Sequence, residues 1–239
     1  KITVTLAASS GSTDNTSDIN YDTGTTYDAT TGIFTITGLG LNAQMSRFAV
    51  ADHGSFLAMR DLAGVHNAYF AQGQGTEVTI YSGGLAGNVL NIGSYARTGP
   101  TELPLTGAAQ FNGDYVGFTT TRRINGTAQL NVDFAGATVS GRITDRIFRQ
   151  RPDNVADVVN PLSMLVLEET SLLSDGSFQG ITGGGQIVNG QTLWNPATGS
   201  FAGLVGGASG NEIVGTVAVS HRDPSGASFD EVGGFLATR

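Results

Sequence analysis

Cysteine is absent from this 239-residue chain. That removes disulfide frameworks, Cys-ligated zinc, iron–sulfur clusters and cysteine nucleophiles. Charge is scarce: Asp, Glu, Lys and Arg make up 13% of the chain, about half the usual share. What charge there is leans acidic, with 12 Lys and Arg against 20 Asp and Glu and a formal net charge of −8. Nonspecific nucleic-acid binding needs a basic face, so nucleic acid is not an expected partner. No apolar run approaches the ~20 residues of a membrane helix. No h-region or cleavage site follows Lys1, so any targeting signal is expected outside this sequence.

Glycine is abundant, at 35 residues, about twice average usage. Ser, Thr and Asn replace much of the usual Lys and Glu, a composition common in exported bacterial β-proteins. A hydrophobic fraction of 39% suffices for a core. The length allows one large or two small domains.

A period of two dominates the second half. In residues 127–134, Ala128, Leu130, Val132 and Phe134 fall on one face, and Thr127, Gln129, Asn131 and Asp133 on the other. Asn125-Gly126 is read as the hairpin turn that pairs this strand with residues 115–124. Further strands are expected at 163–167, 178–182, 186–188, 199–205, 212–220 and 232–238, separated by clusters such as Ser174-Asp175-Gly176 and Asn195-Pro196. Many short strands joined by tight turns indicate an antiparallel barrel or sandwich. Aromatics recur two residues from a glycine, as in Tyr115-Val116-Gly117, Phe178-Gln179-Gly180 and Phe201-Ala202-Gly203. A ring can cover the bare backbone of a glycine in a strongly curved sheet.

The first hundred residues differ. Residues 1–6, 30–37 and 77–81 are strand-like, but 42–71 shows no clean period of two, and 60–69 is the best helical candidate. Residues 97–109 hold Pro100, Pro104, Gly99 and Gly107 and read as a linker. The expected division is 1–106, a small irregular β-rich domain, and 107–239, a barrel.

The order of motifs over residues 113–239 resembles the C-terminal β-barrel of the transferrin-binding protein B family of bacterial surface lipoproteins, a barrel shared by factor H-binding protein. The matching pieces begin with Gly113-Asp114-Tyr115-Val116-Gly117 and Asn131-Val132-Asp133-Phe134, followed by Gly141-Arg142-Ile143. They continue with Phe178-Gln179-Gly180, residues 199–203, residues 206–215 (G-G-A-S-G-N-E-I-V-G) and the terminal Gly233 to Arg239. The resemblance implies an all-β fold: a β-rich, handle-like N-terminal domain followed by an eight-stranded antiparallel barrel. It also implies a non-enzymatic binding protein on the surface of a Gram-negative bacterium, or secreted from it, with a protein or nutrient ligand. Family members are anchored through a lipidated N-terminal cysteine. This sequence has none, so either an anchor precedes Lys1 or the chain is secreted. The N-terminal half carries no recognisable ligand-docking motif, and transferrin is not implied.

Three histidines are present, and haem capture is an alternative expectation, with His53 and His66 as ligands because imidazole suits iron. The bland reading of both is structural, and His221, in S-H-R-D-P, is expected in an exposed turn. Otherwise no cofactor or metal is expected. Asp14, Asp18, Asp22 and Asp28 read as a solvated loop, without the spacing of a calcium-binding loop. Glu168-Glu169 and Asp230-Glu231 are adjacent in strands, point to opposite faces and form no glycosidase dyad. No G-x-S-x-G elbow or P-loop ending occurs. Arg142, Arg146, Arg149 and Arg151 concentrate positive charge and are a candidate docking patch. An outer-membrane barrel is a second alternative, requiring an apolar outside and a polar inside.

Overall fold

The structure is a computed structural model that describes residues 2–9, 24–38, 41–85, 88–150, 156–183, 186–188, 191–193, 195–196, 199–222 and 228–239. Eight strands make the first sheet: β1 (Ile2–Ser9), β2 (Gly24–Asp28), β3 (Ile33–Gly38), β4 (Leu41–Arg47), β5 (Leu57–Arg60), β6 (Asn67–Gln72), β7 (Thr76–Leu85) and β8 (Asn88–Arg97). Their order is β1-β8-β7-β6-β5-β4-β3-β2, so every neighbour except β1 follows in sequence. The only helical turn among the described residues is a short 3-10 helix, Ala49–Ala51.

The remaining strands are β9 (Ala108–Phe118), β10 (Arg122–Asp133), β11 (Thr138–Gln150), β12 (Ala156–Pro161), β13 (Leu165–Ser171), β14 (Ser177–Gly183), β15 (Gln186–Val188), β16 (Gln191–Leu193), β17 (Asn195–Pro196), β18 (Gly199–Gly206), β19 (Glu212–Arg222) and β20 (Ser228–Thr238). Eight of them run β10-β9-β20-β19-β18-β14-β13-β11, and a β10–β11 pairing closes the ring. The all-β fold and closed eight-stranded antiparallel barrel expected from the sequence are both present.

Alternation decides what fills the barrel. Phe111 and Tyr115 of β9, Ile124, Ala128, Leu130 and Val132 of β10, and Phe235 of β20 point into one core. The outer face of β10 and its neighbour is polar: Thr127, Asn131 and Asp133 are exposed, and Gln110 Nε2 donates to Asn131 Oδ1 across the strands at 3.2 Å. An apolar inside with this polar outside reverses the pattern of a membrane-spanning barrel.

Glycines opposite aromatics let the small barrel curve. Phe178 pairs with Gly203 and Phe201 with Gly180 across the β14–β18 ladder. A Cβ at Gly203 would lie 2.5 Å from the Phe178 ring, and one at Gly180 would lie 2.7 Å from the Phe201 ring. Gly215 stands in the same relation to Phe235, at 2.5 Å. Each ring occupies the space that a side chain would take, the device that the sequence pattern suggested.

The outer face of β9, β18, β19 and β20 is also buried, because the first sheet lies across it. Val78 and Ile80 of β7, Tyr69 of β6 and Tyr95 of β8 pack on Val116, Leu204, Val214 and Leu236. These strands are therefore buried on both sides, and residues 231–237 of β20 are buried without a break. On its other face the sheet curls over a separate small core of Phe34, Met45, Met59, Phe70, Tyr81 and Ile92.

Several local expectations fail for physical reasons. Residues 60–69 do not form a helix: Arg60 ends β5, a turn follows, and Asn67 opens β6. Gly64 sits at φ +70, and its N–H donates to the Asp61 carbonyl at 3.1 Å, which fixes a turn instead of a helical run. Both faces of β6 are buried, so Ala68-Tyr69-Phe70-Ala71 shows no alternation. Residues 42–46 of β4, in contrast, alternate exposed and buried. Asn125-Gly126 is not a hairpin turn but lies inside β10; the chain reverses at 119–121.

Candidate functional site

Where sheet and barrel meet, charged side chains at four positions among the described residues help hold them together. Glu212 opens β19 just after a glycine-rich turn, which brings its carboxylate against the β6–β7 turn. It accepts hydrogen bonds from Gln74 N at 2.5 Å, Gly75 N at 3.0 Å and Thr76 Oγ1 at 2.8 Å. Asp114 of β9 accepts from Ser55 N at 2.8 Å and Ser55 Oγ at 2.9 Å. Gly54 is required there: at φ +53, a Cβ on it would lie 2.1 Å from the Asp114 carboxylate. Arg97 at the end of β8 donates to the Val205 carbonyl, Nη2 at 2.8 Å, and also to the Asp175 carbonyl. Arg123 of β10 donates to Asn67 Oδ1 at 2.9 Å. Charge-assisted bonds of this kind are about twice as strong as neutral ones.

These clamps fix two turns of the sheet beside the barrel. The β4–β5 connection (48–56) and the β5–β6 turn (61–66) meet at Arg60. The Phe48 ring lies 5.3 Å from the Arg60 guanidinium, and Gly64 closes on the same group. Both turns carry exposed apolar side chains: Val50 at 66%, Leu62 at 107% and Val65 at 49%. A held backbone with projecting apolar side chains is what a recognition surface needs.

The barrel core contains a second, sealed cluster. Glu231 of β20 accepts from Tyr115 OH at 2.5 Å, from His221 Nε2 at 2.7 Å and from Arg146 Nη2. Arg146 Nη1 donates to the Ser163 carbonyl at 2.5 Å, and His221 stacks on Phe229 at 4.6 Å. The side chains of Arg146, His221 and Glu231 are fully buried. Burial pushes the Glu231 carboxyl up, but the Arg146 charge and the His221 and Tyr115 hydrogen bonds outweigh it and hold it at about 2. The Tyr115 hydroxyl is driven well above its ordinary range, by burial and then by the Glu231 charge. With no exposure to solvent, the cluster ties four barrel elements together.

The residues singled out from the sequence are scattered. His53 precedes β5, with Nε2 2.9 Å from the Gly126 carbonyl, whereas His66 follows β5, with Nδ1 2.6 Å from Tyr81 OH. The two imidazoles serve different contacts and are not brought together. His221 is not an exposed turn residue: it lies in β19, and its ring is buried. Arg146 is inside the barrel and leaves the proposed patch; Arg142 is exposed, Arg149 is half-buried and Arg151 lies outside the described residues. A bulge in β11 explains Arg146. Asp145 takes φ +53, and its carboxylate accepts from Thr127 Oγ1 at 2.7 Å. The extra residue shifts the alternation, so that Ile143 and then Arg146 and Phe148 face inward. Asp28 is exposed and caps the Thr30 and Thr31 amides, while Asp14, Asp18 and Asp22 lie outside the described residues. Glu168 and Glu169 are both exposed.

Local sequence patterns do not mark Asp114, Glu212 or Glu231 as contact residues. Asp114 and Glu212 lie inside the glycine-rich motifs, and the available signal is their setting: an acid embedded among Gly and apolar residues in a two-sided buried strand must have partners.

No protein-family model matches the sequence, and no curated protein matches it. Solved structures do share its architecture. A point mutant of the vaccine antigen transferrin-binding protein B from Haemophilus parasuis Hp5 aligns with a TM-score of 0.50 and 13% identity, over 96% of this chain and 47% of that one. Isotype 1 transferrin-binding protein B from serogroup B Neisseria meningitidis aligns with a TM-score of 0.51 and 14% identity, over 89% of this chain and 40% of that one. The chain has the transferrin-binding protein B fold. It spans less than half the length of those two proteins, and at this identity the likeness concerns the fold alone.

Proposed function

We propose that the chain is a non-enzymatic binding protein, displayed on or released from a Gram-negative bacterial surface, that captures a protein ligand through the turns at 48–56 and 61–66. The observation that carries this reading is the exposure of Leu62 and Val65 on a turn whose backbone is held by its own hydrogen bonds beside the clamped sheet–barrel junction. The transferrin-binding protein B fold supports a protein ligand and a surface location; lipid anchoring belongs to the same reading. Haem draws no support from His53 and His66, whose ring nitrogens serve separate contacts.

The test is affinity capture from host serum, followed by binding kinetics with whatever is retained, transferrin included. Replacing Leu62 and Val65 by Asp together is expected to weaken binding at least tenfold, about 1.4 kcal/mol or more. The melting temperature should hold, because both side chains already face solvent. Undiminished binding by the double variant would overturn the assignment of this surface.

A further inference from the structure

Near the same turn, Arg60 and Arg123 both lie against the Phe48 ring. Arg123 is 1% exposed; Nη2 reaches Asn67 Oδ1 at 2.9 Å, and Nη1 has no hydrogen-bond partner. Its guanidinium carbon lies 5.4 Å from the centroid of the Phe48 ring, and that of Arg60 lies 5.3 Å from the same centroid. Burial lowers the Arg123 pKa; Tyr69 opposes the shift, and the Arg60 charge adds to it. Among the described residues neither guanidinium has an ion-pair partner. The acids nearest in sequence are engaged: Asp61 Oδ1 accepts from His66 N at 3.0 Å, and Asp52 pairs with Arg47. Gly64 takes φ +70 against Arg60, where a Cβ would come within 2.4 Å of Nη2, so the turn closes over that guanidinium.

A cationic pair in a partly dry place, with one buried N–H group unpartnered, is unfavourable unless an anion neutralises it. We propose that Arg60 and Arg123 bind a small oxyanion of the phosphate or carboxylate class between the first sheet and the barrel. Guanidinium forks suit oxyanions because they donate in pairs. Arg60 is half-buried and Arg123 is buried, so Arg60 is the one of the two that solvent reaches. This site is independent of the protein-capture reading and is tested without a partner.

The test is a titration of the full chain with sodium phosphate and with sodium acetate, each against sodium chloride at equal ionic strength. It is read by melting temperature and by the Arg Nε–H resonances in NMR. One of the two oxyanions is expected to raise the melting temperature saturably and to move the Arg123 resonance; phosphate against acetate tells which class is held. Arg60→Gln should weaken that response at least tenfold, yet melt no lower than the parent in chloride, since it removes a like charge beside Arg123. Arg47→Gln, at an exposed pair, should respond as the parent does. A response no greater than that to chloride, or one unchanged in Arg60→Gln, would overturn the proposal.

Discussion

Glu231 shows how much a single side chain carries in a barrel this small. Its carboxylate neutralises Arg146 and takes hydrogen bonds from Tyr115 and His221. Glu231→Gln keeps the shape and strands the Arg146 charge, so at pH 7 it is expected to cost roughly 3–5 kcal/mol in urea unfolding. The pH dependence has a definite sign. The carboxyl sits at about 2 in the fold, against 4.5 for an ordinary glutamate. Its contribution is therefore complete above pH 4.5 and fades as the pH falls toward 2. The stability gap between parent and Glu231→Gln should narrow across that window. A glycine of the same core gives a second residue-scale outcome. A Cβ at Gly233 would lie 2.0 Å from the Tyr115 oxygen, which is buried and committed to Glu231. Gly233→Ala should lose about 1–3 kcal/mol by overpacking, measured in the same unfolding experiment.

At the scale of elements, the decisive contacts join a turn of one sheet to a strand of the other. Glu212 holds the β6–β7 turn by three hydrogen bonds. Glu212→Ala should leave the barrel closed but release that turn, seen as at least tenfold faster hydrogen exchange at the Gln74 and Gly75 amides and little change at the amides of β10. The sequence was legible where a strand has one wet face: 127–134 alternates as expected and is buried on the predicted side. It was illegible where both faces are covered, as in Ala68-Tyr69-Phe70-Ala71, and where a bulge shifts the count, as at Asp145 before Arg146. Clamp residues were hidden for a related reason: the partner of Glu212 is a turn well over a hundred residues away in the chain. No local pattern reports such a pairing. The aromatic–glycine pairs, in contrast, were readable because Phe178 with Gly180 and Phe201 with Gly203 form reciprocal cross-strand partners.

As a whole molecule, the protein is a curled sheet clamped across the outside of a closed barrel, with a shared apolar seam from Tyr69 to Leu236. The seam and clamps make the barrel a rigid support for the turns at 48–56 and 61–66, and rigidity there reduces the ordering cost of binding. The most direct test is hydrogen–deuterium exchange of the full chain, free and saturated with the protein that it retains from host serum. Protection concentrated at residues 48–50 and 61–66, and lost with the Leu62 and Val65 double Asp variant, is the expected result. Protection confined to the exposed polar face of β10 and β11, with those turns exchanging as in the free chain, would contradict the account.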